Sequence, residues 1–107
     1  MKIDLRLGDC LELMKDLPDA SVDAVITSPP YADLKDYGIG FSVTPQEYPN
    51  WILPRVAEME RVIKATGSII IVMDDCFKDK WLDPYVFRMV LAILDGTKLK
   101  LAQRHYW

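Results

Sequence analysis

Histidine and cysteine are nearly missing from this chain: His105 is the single histidine, and the two cysteines, Cys10 and Cys76, stand far apart. Neither cysteine has a C-x-x-C companion, so the spacing of a zinc site is lacking and no metal is expected. Two isolated thiols read instead as reduced cysteines of a cytoplasmic protein. No apolar run approaches the ~18 residues of a membrane-crossing helix, so no membrane partner is expected. Positive charge is short as well, with 13 Lys and Arg against 16 Asp and Glu and a net charge of −3. The basic residues are scattered from Lys2 to Arg104, whereas phosphate binding needs them clustered, which argues against autonomous non-specific binding to nucleic acid. Targeting signals are not expected either, because Met1-Lys2-Ile3-Asp4-Leu5 enters a strand-like alternation at once. Glycine is sparse, 5 residues in all, and Gly38-Ile39-Gly40 is the one G-x-G.

What is present is an ordinary globular balance, half apolar and 27% charged. A chain of 107 residues is one domain or part of one, and its core is small enough that a missing neighbour would be felt. Ile3–Leu7 alternates and predicts a strand ended by Gly8-Asp9. Leu11, Leu13, Met14 and Leu17 fall at helical spacing over residues 10–17, stopped by Pro18-Asp19. Val22, Ala24, Val25 and Ile26 make a near-continuous apolar run, which predicts a strand from Ser21 to Thr27 buried on both faces. Ser28-Pro29-Pro30 must end it, since proline supplies no ladder donor.

A loop over residues 31–43 follows, and a long loop after a buried strand is usually functional. Thr44-Pro45-Gln46-Glu47 offers an N-cap, a proline for the first turn and a capping-box glutamate. The helix is expected to reach about Ala65, with Trp51, Ile52, Val56, Met59, Val62 and Ile63 on its apolar stripe and Pro54 as a kink site; Gly67 would stop it. Ser68–Met73 predicts a second buried strand, Asp83-Pro84 a helix through Leu94 closed by Gly96, and Lys98–Tyr106 a final strand. Strands separated by helices give an α/β fold: a partial doubly wound, Rossmann-like sheet, mostly parallel, with helices on both faces. Ligands gather at the carboxyl ends of strands in such sheets. Gly8-Asp9-Cys10, Ser28-Pro29-Pro30-Tyr31 and Asp74-Asp75 are therefore expected to converge on one edge.

Of these, Thr27-Ser28-Pro29-Pro30-Tyr31 carries the chemistry. An exocyclic amine on a nucleobase is a poor nucleophile, because its lone pair is delocalised into the ring. A site that methylates it must accept hydrogen bonds from the amino group so that the lone pair can turn out of the ring plane. It must also hold the base out of the duplex. The Ser28 hydroxyl and the Pro29 carbonyl are the expected acceptors, with the consecutive prolines fixing the backbone in advance. Tyr31 supplies a ring face for stacking, worth ~1–3 kcal/mol in comparable settings. The bare alternative for Ser-Pro-Pro is a rigid turn.

Ser28-Pro29-Pro30-Tyr31 resembles the (D/N/S)-P-P-(Y/F) motif of the S-adenosylmethionine-dependent DNA amino-methyltransferases. Leu7-Gly8-Asp9-Cys10, the stretch from Pro18 to Ile26, Asp33 to Gly38 and Arg61 to Ser68 are similar, in the same order, to the members whose catalytic half comes first. The likeness spans essentially the whole chain. It implies a Rossmann-like methyltransferase fold, DNA as partner, S-adenosylmethionine as cofactor and a place in restriction-modification. Ser28, Pro29, Pro30 and Tyr31 would be the catalytic residues, and Asp9 and Cys10 would lie near the adenine end of the cofactor. Asp9 can equally cap the helix that follows it. Serine at the first motif position resembles the cytosine-N4 members more than the adenine-N6 ones.

The family's glycine-rich F-x-G-x-G turn and its target-recognition region have no counterpart here. Gly38-Ile39-Gly40 leads into a helix cap rather than following a strand, so it is not that turn. Residues 1–107 thus read as the catalytic-loop half of a methyltransferase domain, apparently truncated. The remainder of the enzyme or a homo-oligomer partner is expected to complete it and to bring the positive surface that DNA needs. Alternatives remain: adenine-N6 methylation, a non-catalytic subunit that depends on a partner, or methylation of a protein amide or RNA base, for which asparagine is the usual first motif residue. Asp74-Asp75 read as solvated loop carboxylates, and Tyr48, Trp51, Trp81 and Tyr85 as packing residues. Tyr37 and Phe41 are candidates to close over a flipped base.

Overall fold

The computed structural model describes residues 1–32 and 41–106. Its elements run α1 (Cys10–Met14), β1 (Val22–Thr27), α2 (Tyr48–Val62), β2 (Ile63–Ile71), β3 (Cys76–Lys78), β4 (Trp81–Asp83) and α3 (Tyr85–Gly96). β1 and β2 pair in parallel, from Ala24 opposite Ser68 to Thr27 opposite Ile71. This is the parallel β-α-β unit that the alternation of strand and helix predicted.

α2 begins as its sequence requires. The Glu47 amide donates to Thr44 Oγ1 at 3.3 Å and the Thr44 amide donates to Glu47 Oε2 at 3.1 Å, the reciprocal capping box. Tyr48, Ile52, Val56, Met59 and Val62 then fall on one face and are buried. Met89 and Ile93 of α3 join them, with Tyr85 at its start, so the core lies between the two helices and one face of the sheet. Val25, Ile69 and Ile71 are the strand residues that pack against it.

Several boundaries differ from the sequence expectation. α2 ends at Val62, not near Ala65, because Ile63 turns extended and pairs with Val22. The last helical carbonyls are satisfied from outside the helix: the Ala20 amide donates to Arg61 O at 3.0 Å and the Ser21 amide to Val62 O at 2.8 Å. Gly67 is therefore not a helix stop. It lies within β2, where β1 advances from Val22 to Ala24 while β2 advances from Ile63 to Ser68, an irregularity that a side chain could not share. A Cβ on Gly67 would stand 2.7 Å from the Asp23 carbonyl oxygen and 2.5 Å from Ile63 Cγ1. α1 is shorter than residues 10–17, its end relaxing into turns through Leu17. The β3–β4 hairpin was not foreseen; its tight turn places Asp79 at φ +58°, a conformation that short polar side chains tolerate.

The two terminal segments are not strands. Among the described residues Ile3–Leu7 and Lys98–Tyr106 pair with no strand, and Leu5 and Leu7 are 91% and 103% exposed. Alternation alone cannot hold a strand whose ladder groups find no partner. One face of the sheet is also bare among the described residues: Ile26 is 73% exposed and Ile70 51%. The covering helices thus sit on one face only, and β1, expected to be buried on both sides, has no fully buried residue, with Val22, Val25 and Thr27 half-buried. No helix among the described residues is long and apolar enough to cross a membrane.

Candidate active site

β1 delivers the motif to the carboxyl edge of the sheet. The Val72 amide still donates to Thr27 O at 2.8 Å, so the strand pair is closed up to the residue before Ser28. Beyond it Pro29 and Pro30 carry no N–H, and the chain can be held only through its carbonyls and side chains. Ser28 is exposed, Pro29 buried and Tyr31 half-buried. Ser28 Oγ lies 2.9 Å from Tyr31 Oη, and either hydroxyl can donate. The two outer motif residues are thereby brought together across the prolines.

The loop is fixed from below by two tyrosines that sequence reasoning treated as packing residues. Tyr48, the first residue of α2, donates its hydroxyl to the Pro30 carbonyl at 2.6 Å. Tyr85, the first residue of α3, donates to the Asp74 carbonyl at 2.6 Å, just beyond β2. Both are fully buried, and their rings meet edge to face, 5.2 Å apart at 75°. Burial pushes the Tyr85 phenol well above its ordinary range, against an opposing backbone hydrogen bond from Ala32, itself fully buried in the loop. Each tyrosine opens a helix just after a proline-containing turn, where a hydroxyl reaches back to the loop that a phenylalanine could only touch.

The edge expected to gather three segments gathers two. The Ser28–Ala32 loop and Asp74 are joined through Tyr48 and Tyr85. Asp74 is exposed, and its Oδ1 accepts the Asp75 amide at 2.8 Å. Gly8-Asp9-Cys10 turns toward α2 instead. Asp9 Oδ1 accepts the Leu11 amide at 2.9 Å and caps α1, and Asp9 Oδ2 lies 3.6 Å from Arg55 Nη2. Arg55 in turn lies over the Trp51 ring, 4.1 Å from its centroid. Gly8 makes the turn at φ +152°. An open cleft of about 460 Å³ adjoins it, lined among others by Asp4, Arg6, Gly8, Cys10 and Leu13. Cys10 is exposed and Cys76 buried.

A second cavity, about 360 Å³, lies between Thr44–Gln46 and the hairpin residues Cys76, Phe77, Lys78 and Asp83 and includes none of the motif. Phe41 packs edge-on against Trp51 at 5.1 Å. Tyr37 and the segment from Asp33 to Gly40 lie outside the described residues.

Comparison with known proteins gives concordant results. The family model described as DNA methylase, for N6- and N4-methyltransferases, matches residues 22–107. The chain is 30% identical over 107 residues to the type II methyltransferase M.PvuII of Proteus hauseri, covering 96% of this chain but 31% of that protein. It is 40% identical over 68 residues to M.BamHI of Bacillus amyloliquefaciens, covering 60% of this chain and 16% of the relative. Among solved structures it is similar to the PvuII DNA methyltransferase (cytosine-N4-specific), with a TM-score of 0.69 and 28% identity over 83% of this chain and 32% of that one. The chain thus spans about a third of the length of M.PvuII and of the similar solved structure, and less of M.BamHI.

Proposed function

We propose, from the premise that this chain belongs to the N6/N4 DNA methylase family, that it is the catalytic-loop half of an enzyme methylating cytosine N4 in DNA. The observation that carries the reading is Ser28-Pro29-Pro30-Tyr31 placed at the carboxyl end of a parallel strand, with the Ser28 and Tyr31 hydroxyls 2.9 Å apart. When Ser28 donates to Tyr31, both Ser28 lone pairs are left to accept from a substrate amine. The Pro29 carbonyl is the second acceptor, and among the described residues no donor is paired with it. An amine bound to these two oxygens has its lone pair turned out of the base plane, toward the methyl donor. Its proton is lost afterwards, since nitrogen becomes acidic once alkylated, so no strong base is required. The half-buried Tyr31 ring supports a base that has left the stack.

S-adenosylmethionine, when bound, supplies the electrophilic methyl group. We assign its adenine end to Asp9 and Cys10. The Asp9 side chain remains 52% exposed despite its cap and its pairing with Arg55, and Cys10 lines the adjoining cleft. This fit is partial, and the rest of the cofactor's contacts are assigned to protein beyond this half. The cytosine-N4 specificity of the similar solved structure supports N4 over N6.

The test is methylation of DNA by the chain joined to its cofactor-binding remainder, with the modified base identified by mass spectrometry. N4-methylcytosine is expected, and Ser28→Ala and Tyr31→Ala should each lose at least about a hundredfold in kcat, equivalent to ~2.7 kcal/mol of transition-state stabilisation. N6-methyladenine would replace the base assignment, and full activity in both variants would refute the site. A partner-dependent, non-catalytic role is the second reading, favoured by the bare Ile26 and Ile70 face. It takes the lead if the chain shows methylation only when a separate protein is added.

A further inference from the structure

Pro29 and Pro30 deprive the catalytic loop of two consecutive amide donors, so no ladder bond can fix its height above the sheet. Two buried hydroxyls act in their place, and neither belongs to the motif. Tyr48 holds the Pro30 carbonyl and Tyr85 the Asp74 carbonyl, each at 2.6 Å. The two loops are those that leave the ends of the paired strands β1 and β2. Because the rings also pack against each other, the loops are tied to one aromatic unit seated on the first residues of α2 and α3.

We propose that Tyr48 and Tyr85 are positioning residues for the methyl-transfer loop, acting through the Pro30 and Asp74 carbonyls to set where Ser28 and the Pro29 carbonyl meet the substrate amine. The role deepens the methyltransferase reading and rests on it. Neither tyrosine needs to touch the base. Acceptors placed about 1 Å off lose catalytic geometry while leaving binding largely intact.

Core packing alone makes a different prediction, because phenylalanine fills the same space. In Tyr48→Phe the ring contacts remain and only the hydroxyl is lost, which separates the two roles. Amide hydrogen exchange on the 107-residue chain is the first readout. Exchange at Tyr31 and Ala32 should rise about tenfold (1.4 kcal/mol) in Tyr48→Phe, with the Met89 and Ile93 amides of α3 unchanged. The second readout is kinetic, on the methylation-competent protein: kcat should fall about tenfold with KM for DNA unchanged.

Tyr85→Phe repeats the test from the other side of the pair, since it releases the Asp74 carbonyl and the Ala32 amide rather than the Pro30 carbonyl; there the Tyr31 amide is the readout, and it decides the matter if Tyr48→Phe does not fold. Unchanged exchange at Tyr31 and Ala32 in the folded variants would overturn the proposal, as would a rise in KM at constant kcat. Failure of the functional reading is distinguishable. It would show as wild-type methylation by Ser28→Ala while the tyrosine variants still loosen the loop.

Discussion

Tyr85 ties acid–base behaviour to stability at a single side chain. Its phenol is buried, and burial favours the neutral form, so its folded-state pKa is raised above the ordinary tyrosine value of about 10. The unfolded chain releases this proton first as pH rises. The stabilisation is therefore complete below about pH 10 and declines as pH climbs past it toward the higher folded value. Thermal midpoints measured between neutral and strongly alkaline pH should fall more steeply for the wild type than for Tyr85→Phe. Parallel curves would show that the hydroxyl is not buried as described. At this scale the motif itself pointed to Ser28 and Tyr31, whose hydroxyls lie 2.9 Å apart. The sequence was not legible for Tyr48 and Tyr85, since the Pro30 and Asp74 carbonyls they serve are 18 and 11 positions away.

The junction between α2 and β2 shows where local signals stop being sufficient. The start of α2 was readable from Thr44 and Glu47 because a capping box is closed by residues three apart. Its end was not. Ala20 and Ser21 claim the Arg61 and Val62 carbonyls, and Val22 claims Ile63, so the helix stops where a distant strand begins. Arg61 reinforces this junction, donating to the Met14 carbonyl at 2.8 Å and the Leu17 carbonyl at 2.9 Å while pairing with Glu58. Gly67 is the point of closest approach within β2. Gly67→Ala should destabilise the chain by roughly 1–3 kcal/mol, the usual range for forcing atoms into filled space, and lower its urea midpoint without changing the slope. An unchanged midpoint would mean that the irregular stretch of β2 yields easily.

The sheet has one clothed face and one bare face. Ile26 and Ile70 sit on neighbouring strands opposite each other, and an apolar patch of this kind favours association. The 107-residue chain is expected to self-associate with rising concentration, and the double variant Ile26→Lys with Ile70→Lys to sediment as a smaller species with its helical circular dichroism retained. If wild type and variant sediment alike, this face does not drive association. Two levels of determination separate at this scale. The sequence by itself determined the β-α-β order, the parallel pairing it implies, the capping of α2 and the motif at the strand end. All of these depend on residues close together or on the periodicity of a single segment. Only the tertiary structure decided that Ile3–Leu7 and Lys98–Tyr106 stay unpaired, that β1 is covered on one side, and that two helix-opening tyrosines hold the loops. Each of those outcomes depends on whether a partner for a backbone group or an apolar face exists elsewhere in space, and a local pattern carries no information about that.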